Sequence, residues 1–566
     1  MSGITAFSRS IVPVTLADLV RLLPTREDYK GLRHTWSGDV LAGVTVAIVA
    51  LPLALAFGIT TGMGAAAGVT TAIIAGAVAA VFGGSNVQVS GPTGAMTAVL
   101  VPIVHRHGVD AVLLIGLMAG LLVVVGAWLR MGRYFAYIPW PVVEGFTVGI
   151  AVIIGLQQLP AILGVATPNT DGTLPMAWDT VRSALTGVTM GALAIAGVVV
   201  VTMLVVARLH RSLPASLIAI VIAAVVADVL ALPIDRIGAL PATIGLPSLP
   251  TISTDRISLL FSPALAVALL VSLESLLSAK VADGMVDRPR HDPDRELFGQ
   301  GLANLVAPMF GGMPATGAIA RTAVNVRSGA RTRAAALVHA VVLLAIVMLG
   351  ADAVGRIPLA ALAGVLVVTA IRMVDPWNVR AILRATRQDG AVLVVTACVT
   401  VLFDLILAVE IGIVVAAGLA LRSVALTTAV IPEAIDDDAI DPDRESGLLA
   451  GRILTYRLDG ALFFGAAQRF LAEMTAVTDV RVVILRLPQL QVLDATGAQV
   501  LGEIIGELEG RGITVLLKGA RADHLRVMRA VGALDRLADE RHVFVDLEDA
   551  VIHARVHIAR PSTHPV

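Results

Sequence analysis

The sequence predicts an α-helical polytopic membrane protein with a small α/β domain at its C-terminus. Hydrophobic residues make up 57% of the 566 residues and charged residues only 15%, whereas soluble domains contain about 45–50% apolar and about 25% charged residues. The excess is uneven, because apolar stretches fill the chain up to residue 429 and an ordinary charge density follows. The predicted parts are a cytoplasmic N-terminal segment (1–37), a transmembrane domain (38–429), a linker (430–447) and a cytoplasmic α/β domain (448–566).

Fourteen hydrophobic segments can be counted, seven in each half of the transmembrane domain. A bilayer core of about 30 Å requires about 20 apolar residues per helix. The full-length segments are 40–59, 66–82, 111–129, 142–163, 190–207, 213–231, 260–277, 297–310, 334–349, 359–371, 391–408 and 409–426. Two more, 94–104 and 317–326, are too short to cross a bilayer alone and follow breaks rich in glycine and proline.

The distribution of arginine and lysine predicts that both termini lie in the cytoplasm. Basic residues precede the first segment and recur in every second connection, as the positive-inside rule requires of cytoplasmic loops. Such connections contain Arg130, Arg208, Lys280, Arg327 and Arg380. With an even number of segments, the C-terminal domain lies on the same side as the N-terminus. We expect the inner (plasma) membrane of the cell.

The two short segments occupy corresponding positions in the two halves. Phe-Gly-Gly at 82–84 precedes Gly-Pro-Thr-Gly-Ala at 91–95, and Phe-Gly-Gly at 310–312 precedes Pro-Ala-Thr-Gly-Ala at 314–318. Each short segment is the third of seven, and because seven is odd the two repeats are inverted in the membrane. Interrupted segments at matching positions of inverted repeats indicate the substrate site of a transporter.

Helices that begin halfway through a membrane favour an anion. Unwound backbone at that depth is tolerated only where it is buried in protein or lines a wet cavity. The free N–H groups and the dipole-positive end of each half-helix then point into that cavity. The alternative is that both segments are ordinary glycine-rich loops that share a Thr-Gly-Ala triplet by coincidence.

Two charged residues lie within the predicted membrane segments near these breaks. Glu274 sits deep in an apolar helix, where a charge costs about 2.5–3.5 kcal/mol, and such residues are functional by default. Arg321 lies one turn into the second half-helix. We predict that the two are near neighbours. Arg321 would attract the anion, and Glu274 would balance the charge of Arg321 or couple transport to a cation. The alternative is a structural ion pair that never meets substrate.

Several other classes of function and site are not indicated. The net charge of -1 gives no electrostatic footprint for nucleic acid, and the single cysteine, Cys398, excludes a disulfide framework. No phosphate-binding loop, no His/Cys cluster with metal-ligand spacing and no nucleophile elbow is visible. We therefore predict a protein that is not an enzyme and needs no cofactor. Asn304 is interpreted as a polar tie between helices, and His339 as a satisfied core histidine.

After the linker, the pattern changes to alternating strands and helices. The predicted strands are 453–458, 461–464, 480–487, 514–518 and 543–545, and the predicted helices are 466–476, 496–509 and 523–531.

Four motifs together resemble the SulP (solute carrier family 26) anion transporters over nearly the whole chain. They are ALPLALAFG at 50–58, GPTG at 91–94, ELFGQGLAN at 296–304 and GAIAR at 317–321. The first and third are most similar to the cyanobacterial bicarbonate-transporter branch. The C-terminal part resembles a STAS domain, the fold of anti-sigma-factor antagonists. Ala495 stands where those antagonists carry a phosphorylated serine, so a scaffolding or dimer-stabilising role is expected of this domain.

The resemblance implies a gripping core domain, a gate domain, elevator-type movement and a homodimer. Substrate would sit between the third and tenth segments, beside the first and eighth. The residues that would line the pocket are Leu53, Ala54, Thr93, Gly94, Gly317 and Ala318.

The resemblance also bears on the coupling ion. In the sodium-coupled bicarbonate branch, the position of Glu274 holds an aspartate that helps to bind sodium, and that of Ser278 holds a threonine. Here the acid is longer, and Arg321 instead resembles the sulfate, chloride and dicarboxylate branches. Sodium at Glu274 and a proton on Glu274 both remain open.

The predicted function is secondary active transport of a small inorganic anion, sulfate or bicarbonate, by symport or exchange. The alternatives are a passive anion channel or a dicarboxylate transporter on the same scaffold, and a signalling receptor whose STAS domain reports.

Overall fold

The computed structural model describes most of the chain and divides it into two compact units, Met1–Ile413 and Val414–Val566. The described residues are 21–25, 29, 32–133, 139–168, 170, 172–209, 214–241, 243, 245–249, 254–286, 290–403, 411, 414–415, 418–419, 429–433, 453–462 and 480–559.

The first unit is helical in both of its halves. The first half contains α1 (Leu32–Thr60), α2 (Ala65–Phe82), β1 (Ser90–Gly91), α3 (Gly94–His107), α4 (Val109–Trp128), α5 (Trp140–Gln157), α6 (Leu159–Leu163), α7 (Thr173–Gly187), α8 (Met190–Leu209) and α9 (Ala215–Val229). The second half contains α10 (Thr254–Asp283), α11 (Pro293–Val306), a 3₁₀ turn (Ala307–Phe310), β2 (Thr316–Gly317), α12 (Ile319–Arg327), α13 (Ala334–Gly355), α14 (Leu359–Met373), α15 (Pro376–Ala385) and α16 (Arg387–Leu402).

The membrane segments predicted from hydropathy are largely confirmed. Thirteen of the fourteen overlap a described helix, and the last, 409–426, lies mainly outside the described residues. Within the part of the chain that the structure describes, eight helices are long and apolar enough to cross a membrane. The two short segments form α3 and α12, each the third membrane segment of its half. The structure adds two helices that hydropathy did not predict, α7 and α15.

The helices of the first unit pack as two groups. The first group consists of α1 to α4 with α10 to α13, and the second of α5, α8, α9, α14 and α16. Close approach within the first group depends on glycine: a Cβ at Gly120 of α4 would lie 2.8 Å from the carbonyl oxygen of Gly301 on α11. Small residues permit such backbone contact between membrane helices. All four segments that the resemblance places around the substrate, α1, α3, α10 and α12, belong to this group.

The second unit is an α/β domain around one mainly parallel sheet. Its elements are β3 (Ala429–Glu433), β4 (Ile453–Leu462), β5 (Val482–Arg486), β6 (Leu490–Leu493), α17 (Ala495–Gly510), β7 (Thr514–Lys518), α18 (Ala522–Ala530), the 3₁₀ turns Leu534–Arg536 and Glu540–His542, β8 (Val543–Phe544) and α19 (Leu547–Ala559). The strand order is β3-β4-β5-β7-β8, with β6 also paired to β4, and only the β3–β4 pairing is antiparallel.

Both faces of this sheet are covered. Alternate residues of β5 bury Val483 and Leu485 in the cluster that includes α17, and Val482 and Ile484 in the cluster that includes α19. Burial on both faces explains the continuous apolar runs of the parallel strands.

The sequence-based prediction of this unit was wrong in three respects. The two strands predicted at 453–458 and 461–464 are one strand, β4, with a register shift between Gly460 and Ala461. β6 and α19 were not predicted. β3 occupies the start of the predicted linker and pairs with β4, so this part of the chain belongs with the α/β domain. The predicted helix 466–476 lies outside the described residues.

Candidate functional site

The two half-helices begin side by side, next to a short sheet that joins the two halves of the first unit. Ser90 pairs with Gly317 and Gly91 with Thr316, in antiparallel register. The N–H of Ala318 adds a bond of 2.9 Å to the carbonyl of Val89. Helices α3 and α12 start within three residues of these strands. The free N–H groups of both first turns are therefore brought to one place.

Thr93, Thr316 and Glu274 form a hydrogen-bonded cluster at this meeting point. Thr93 is the N-cap of α3, and its hydroxyl donates to Glu274 Oε2 over 2.7 Å. The Thr316 hydroxyl donates to the same oxygen over 2.5 Å and lies 3.1 Å from the Thr93 hydroxyl. Each half of the chain thus contributes one hydroxyl to a carboxylate that α10 supplies from the second half.

Two serines on α10 form hydrogen bonds with the start of the second half-helix and the strand before it. Ser275 accepts the N–H of Gly317 over 3.0 Å. The Ser278 hydroxyl lies 3.2 Å from that of Thr322, which accepts the N–H of Val89 over 3.1 Å. Ser278 lies on α10, one turn beyond Glu274. Its hydroxyl forms a hydrogen bond with that of Thr322 on α12.

Arg321 is 2% exposed and reaches across to the first half. Its Nη2 donates to the carbonyl of Pro92, the residue before the Thr93 cap. Its Nη1 is buried with no hydrogen-bond partner in the part of the chain that the structure describes, and it lies against Gly91, where any Cβ would overlap the guanidinium. No ion pair joins Arg321 to Glu274 in the described part of the chain. Arg321 is therefore near the site, with its guanidinium bound to the backbone before α3.

The remaining predicted pocket residues are buried. Leu53 is 8% exposed, Ala54 is fully buried with its carbonyl against Gly68 of α2, and Ala318 is 7% exposed. A Cβ at Gly94 would collide with the Ile154 side chain of α5, so α3 meets the second helix group there. A Cβ at Gly317 would overlap the side-chain amide of Gln88. An added side chain at Gly94 or Gly317 would therefore displace a neighbouring side chain.

Other polar side chains fix the loops around the half-helices. Asn304 donates to the carbonyl of Ala315 and accepts its N–H, both over 2.8 Å. Glu296 accepts the N–H groups of Gly84 and Ser85 over 2.8 and 2.9 Å. Asn304 is thus a tie, as predicted, but its partner is the loop before β2. The Glu296 contact was missed, because sequence does not show which distant amide a buried acid will face.

The interpretation of His339 as a satisfied core histidine was wrong. His339 is fully buried on α13, and within the described ranges neither of its ring nitrogens has a hydrogen-bond partner. The ring stands 3.8 Å from the position of a Cβ on Gly76. The apolar residues that flank His339 in the sequence do not indicate whether its ring nitrogens find a partner.

A cavity of about 590 Å³ lies at the far ends of α1 and α3. Its lining includes Thr60, His105, Gln157, Gln158 and Thr189. Neither Thr93 nor Glu274 belongs to this lining, so protein separates the meeting point of the half-helices from the cavity. Ile319, the first residue of α12, is 39% exposed.

The chemistry of the meeting point suits both an anion and a cation. Amide N–H groups at two helix starts are donors for an anion. The carboxylate and two hydroxyls are hard oxygen ligands of the kind that alkali and alkaline-earth cations prefer. The residues therefore fit a sodium ion at Glu274, and they fit a proton there equally well.

Comparison with known proteins gives consistent matches along the chain. Residues 36–396 match the sulfate permease family, and residues 449–550 match the STAS domain. A candidate sulfate transporter of Bacillus subtilis (strain 168), YvdB, is 33% identical over 91% of this chain and 96% of its own length. The bicarbonate transporter BicA of Picosynechococcus is 30% identical over 93% of this chain and 97% of its own length.

Solved structures agree with the fold. The transmembrane domain of a cyanobacterial bicarbonate transporter, BicA, superimposes with a TM-score of 0.61 and 32% identity over 66% of this chain and 97% of that domain. The murine anion transporter Slc26a9 in its inward-facing state superimposes with a TM-score of 0.82 over 98% of both chains, at 16% identity.

Proposed function

Because this chain belongs to the sulfate permease family and carries a STAS domain, we propose that it is a secondary active transporter of small inorganic anions. Its family consists of permeases, so the protein is not an enzyme. The observation that carries the proposal is the contact between Thr93 and Thr316, which sets two half-helix starts against each other. The substrate class is that of sulfate and bicarbonate, after the names of the relatives similar over most of the chain.

Glu274 is the proposed coupling group. When its carboxylate is ionised, the hydroxyls of Thr93 and Thr316 both donate to it, as their geometry allows. When it is protonated, it donates to one threonine, which can then donate to the other. Both forms satisfy the cluster's hydrogen bonds, so a proton can arrive and leave without stranding a buried polar group. Sodium would occupy the same oxygens.

The buried state of the site favours a carrier over a channel. Thr93 and Ala318 are each 7% exposed, and the 590 Å³ cavity does not reach them. An open channel would need a continuous wet path past these residues. We therefore propose an elevator-type movement of the first helix group against the second. We further propose a homodimer in the inner (plasma) membrane with both termini in the cytoplasm.

Uptake into proteoliposomes tests the function. Purified protein is reconstituted, and labelled sulfate and labelled bicarbonate are supplied separately, with and without inward sodium and proton gradients. We expect one of the two anions to accumulate above its external concentration when the correct gradient is imposed. Strictly downhill flux would instead indicate an anion channel. In a parallel assay with labelled succinate, uptake of succinate without uptake of either inorganic anion would indicate a dicarboxylate transporter.

A further inference from the structure

The second unit contains a cluster of three histidines that transport does not require. His542 ends the 3₁₀ turn before β8, while His553 and His557 lie one turn apart on α19. One nitrogen atom from each ring lies within 4.8 Å of the others, and within the described residues this is the group with a metal-binding arrangement. Linear spacing did not predict it, because His542 joins the pair only in the fold.

The spacing of the rings matches that of ligands around one ion. The three ring centroids are 5.0, 5.2 and 5.2 Å apart. Nε2 of His553 and Nε2 of His557 are 3.2 Å apart. Two nitrogens bound to tetrahedral zinc at about 2.0–2.1 Å are separated by about 3.3–3.4 Å. These two nitrogens, which share a hydrogen bond here, are therefore separated by nearly the distance expected of two ligands of one zinc ion.

The third histidine is held in place by its own surroundings. His542 is 2% exposed, and its Nδ1 is buried with no hydrogen-bond partner among the described residues. Its backbone N–H is fixed to the carbonyl of Asp539 over 3.1 Å. A buried ring nitrogen without a partner is uncommon in native proteins, and one nitrogen of this ring lies within 4.8 Å of a nitrogen of each of the other two histidines. The alternative is a packed cluster of neutral imidazoles, in which the ring centroids of Phe544 and His553 are 5.3 Å apart.

We propose that His542, His553 and His557 bind one zinc ion, with solvent in the fourth position. Imidazole nitrogens suit zinc among the common metals, and three protein ligands leave one coordination site open. The ion would link α19 to the turn before β8, two elements that otherwise meet through side-chain packing. This inference does not depend on the transport proposal.

Metal binding to the full-length protein tests the site. The protein is produced without a polyhistidine tag, purified in detergent, stripped with a chelator and dialysed against zinc, and bound metal is determined by elemental analysis. We expect about one zinc ion per chain in the wild type. In His553→Ala and His557→Ala, whose side chains are only half-buried, we expect the affinity to fall at least ~100-fold, since even loss of an outer-shell partner costs 10–100-fold. The control is His107→Ala, an exposed histidine of the first unit.

A second measurement guards against misfolded variants. Hydrogen exchange across 547–559 should slow when zinc is added to the wild type and stay unchanged in His557→Ala. A wild type that binds no zinc above background, or variants that bind it as tightly as the wild type, would overturn the proposal and leave only packed imidazoles.

Discussion

Thr93 and Thr316 are separated by 223 residues, yet their hydroxyls lie 3.1 Å apart and share one carboxylate oxygen of Glu274. Thr93 caps α3 and Thr316 lies in β2, three residues before the first residue of α12, so this contact aligns the two repeats. The cluster is the centre of the proposed site, and four predictions address its parts.

Removing either hydroxyl should impair uptake. Thr93→Val and Thr316→Val keep the side-chain shape but lose a hydrogen bond to a charged group, worth about 1.5–3 kcal/mol. We expect each to lower the initial rate of anion uptake about tenfold or more, and the serine variants to retain it. If the hydroxyls act as one unit, the double valine variant is no worse than either single one. Thr97→Val is the control, because its hydroxyl donates to the backbone carbonyl of Thr93, one turn back along α3. Full activity in either valine variant would exclude the hydroxyls from transport.

Glu274→Gln should separate transport from its driving force. The amide keeps the shape of the side chain but cannot ionise, so it can neither exchange a proton nor offer a charged ligand to sodium. We expect gradient-driven accumulation to disappear while exchange of internal for external anion persists. Glu144→Gln serves as the control, since Glu144 is another buried acid (8% exposed) but lies on α5 in the second helix group. An unchanged dependence on pH and sodium would remove Glu274 from the coupling role.

Arg321→Ala should weaken uptake while the protein remains folded. It removes both a fixed positive charge and the bond to the Pro92 carbonyl. Arg321→Lys keeps the charge but loses the forked geometry that reaches this carbonyl. If Arg321→Lys keeps a normal apparent affinity for the anion, the positive charge is the important property. If it is as impaired as Arg321→Ala, the bond that positions the Pro92 carbonyl is the important one. Arg327→Ala, an exposed arginine at the end of the same helix, should behave as wild type. Unchanged uptake in Arg321→Ala would contradict both roles.

Gly317→Ala should abolish transport, because its methyl group would overlap the side chain of Gln88 beside the site. The comparison is Gly155→Ala on α5, where a Cβ meets nothing within 4 Å. Uptake and the melting temperature in detergent are measured for both. We expect Gly155→Ala to match the wild type in both measurements. Normal uptake in Gly317→Ala would mean that Gln88 can move aside at no cost to function.

The sequence was informative where the signal is local. Breaks rich in glycine and proline mark the starts of α3 and α12, and hydropathy marks the helices that flank them. It was much less informative about contacts between distant residues. The side chain of Arg321 could not be placed from its position in α12, because its partner is a backbone carbonyl in the other repeat.

The same limit explains the remaining differences. The family resemblance places Ser278 with Glu274 at the coupling-ion position, and its contact with the Thr322 hydroxyl on α12 could not be read from the sequence. Helix α19 was missed because its buried face is narrow and consists mainly of Ala550, Val551 and Ala554.

The pairing of β1 with β2 limits how a bound ion can cross the membrane. Backbone hydrogen bonds between β1 and β2 join the two repeats next to the proposed anion site. Separating the half-helices to release the anion would break these hydrogen bonds in a poorly hydrated interior. Each backbone group left unsatisfied there costs several kcal/mol. The proposed elevator-type movement avoids this cost, because both half-helices would then move together with the β1–β2 pairing intact.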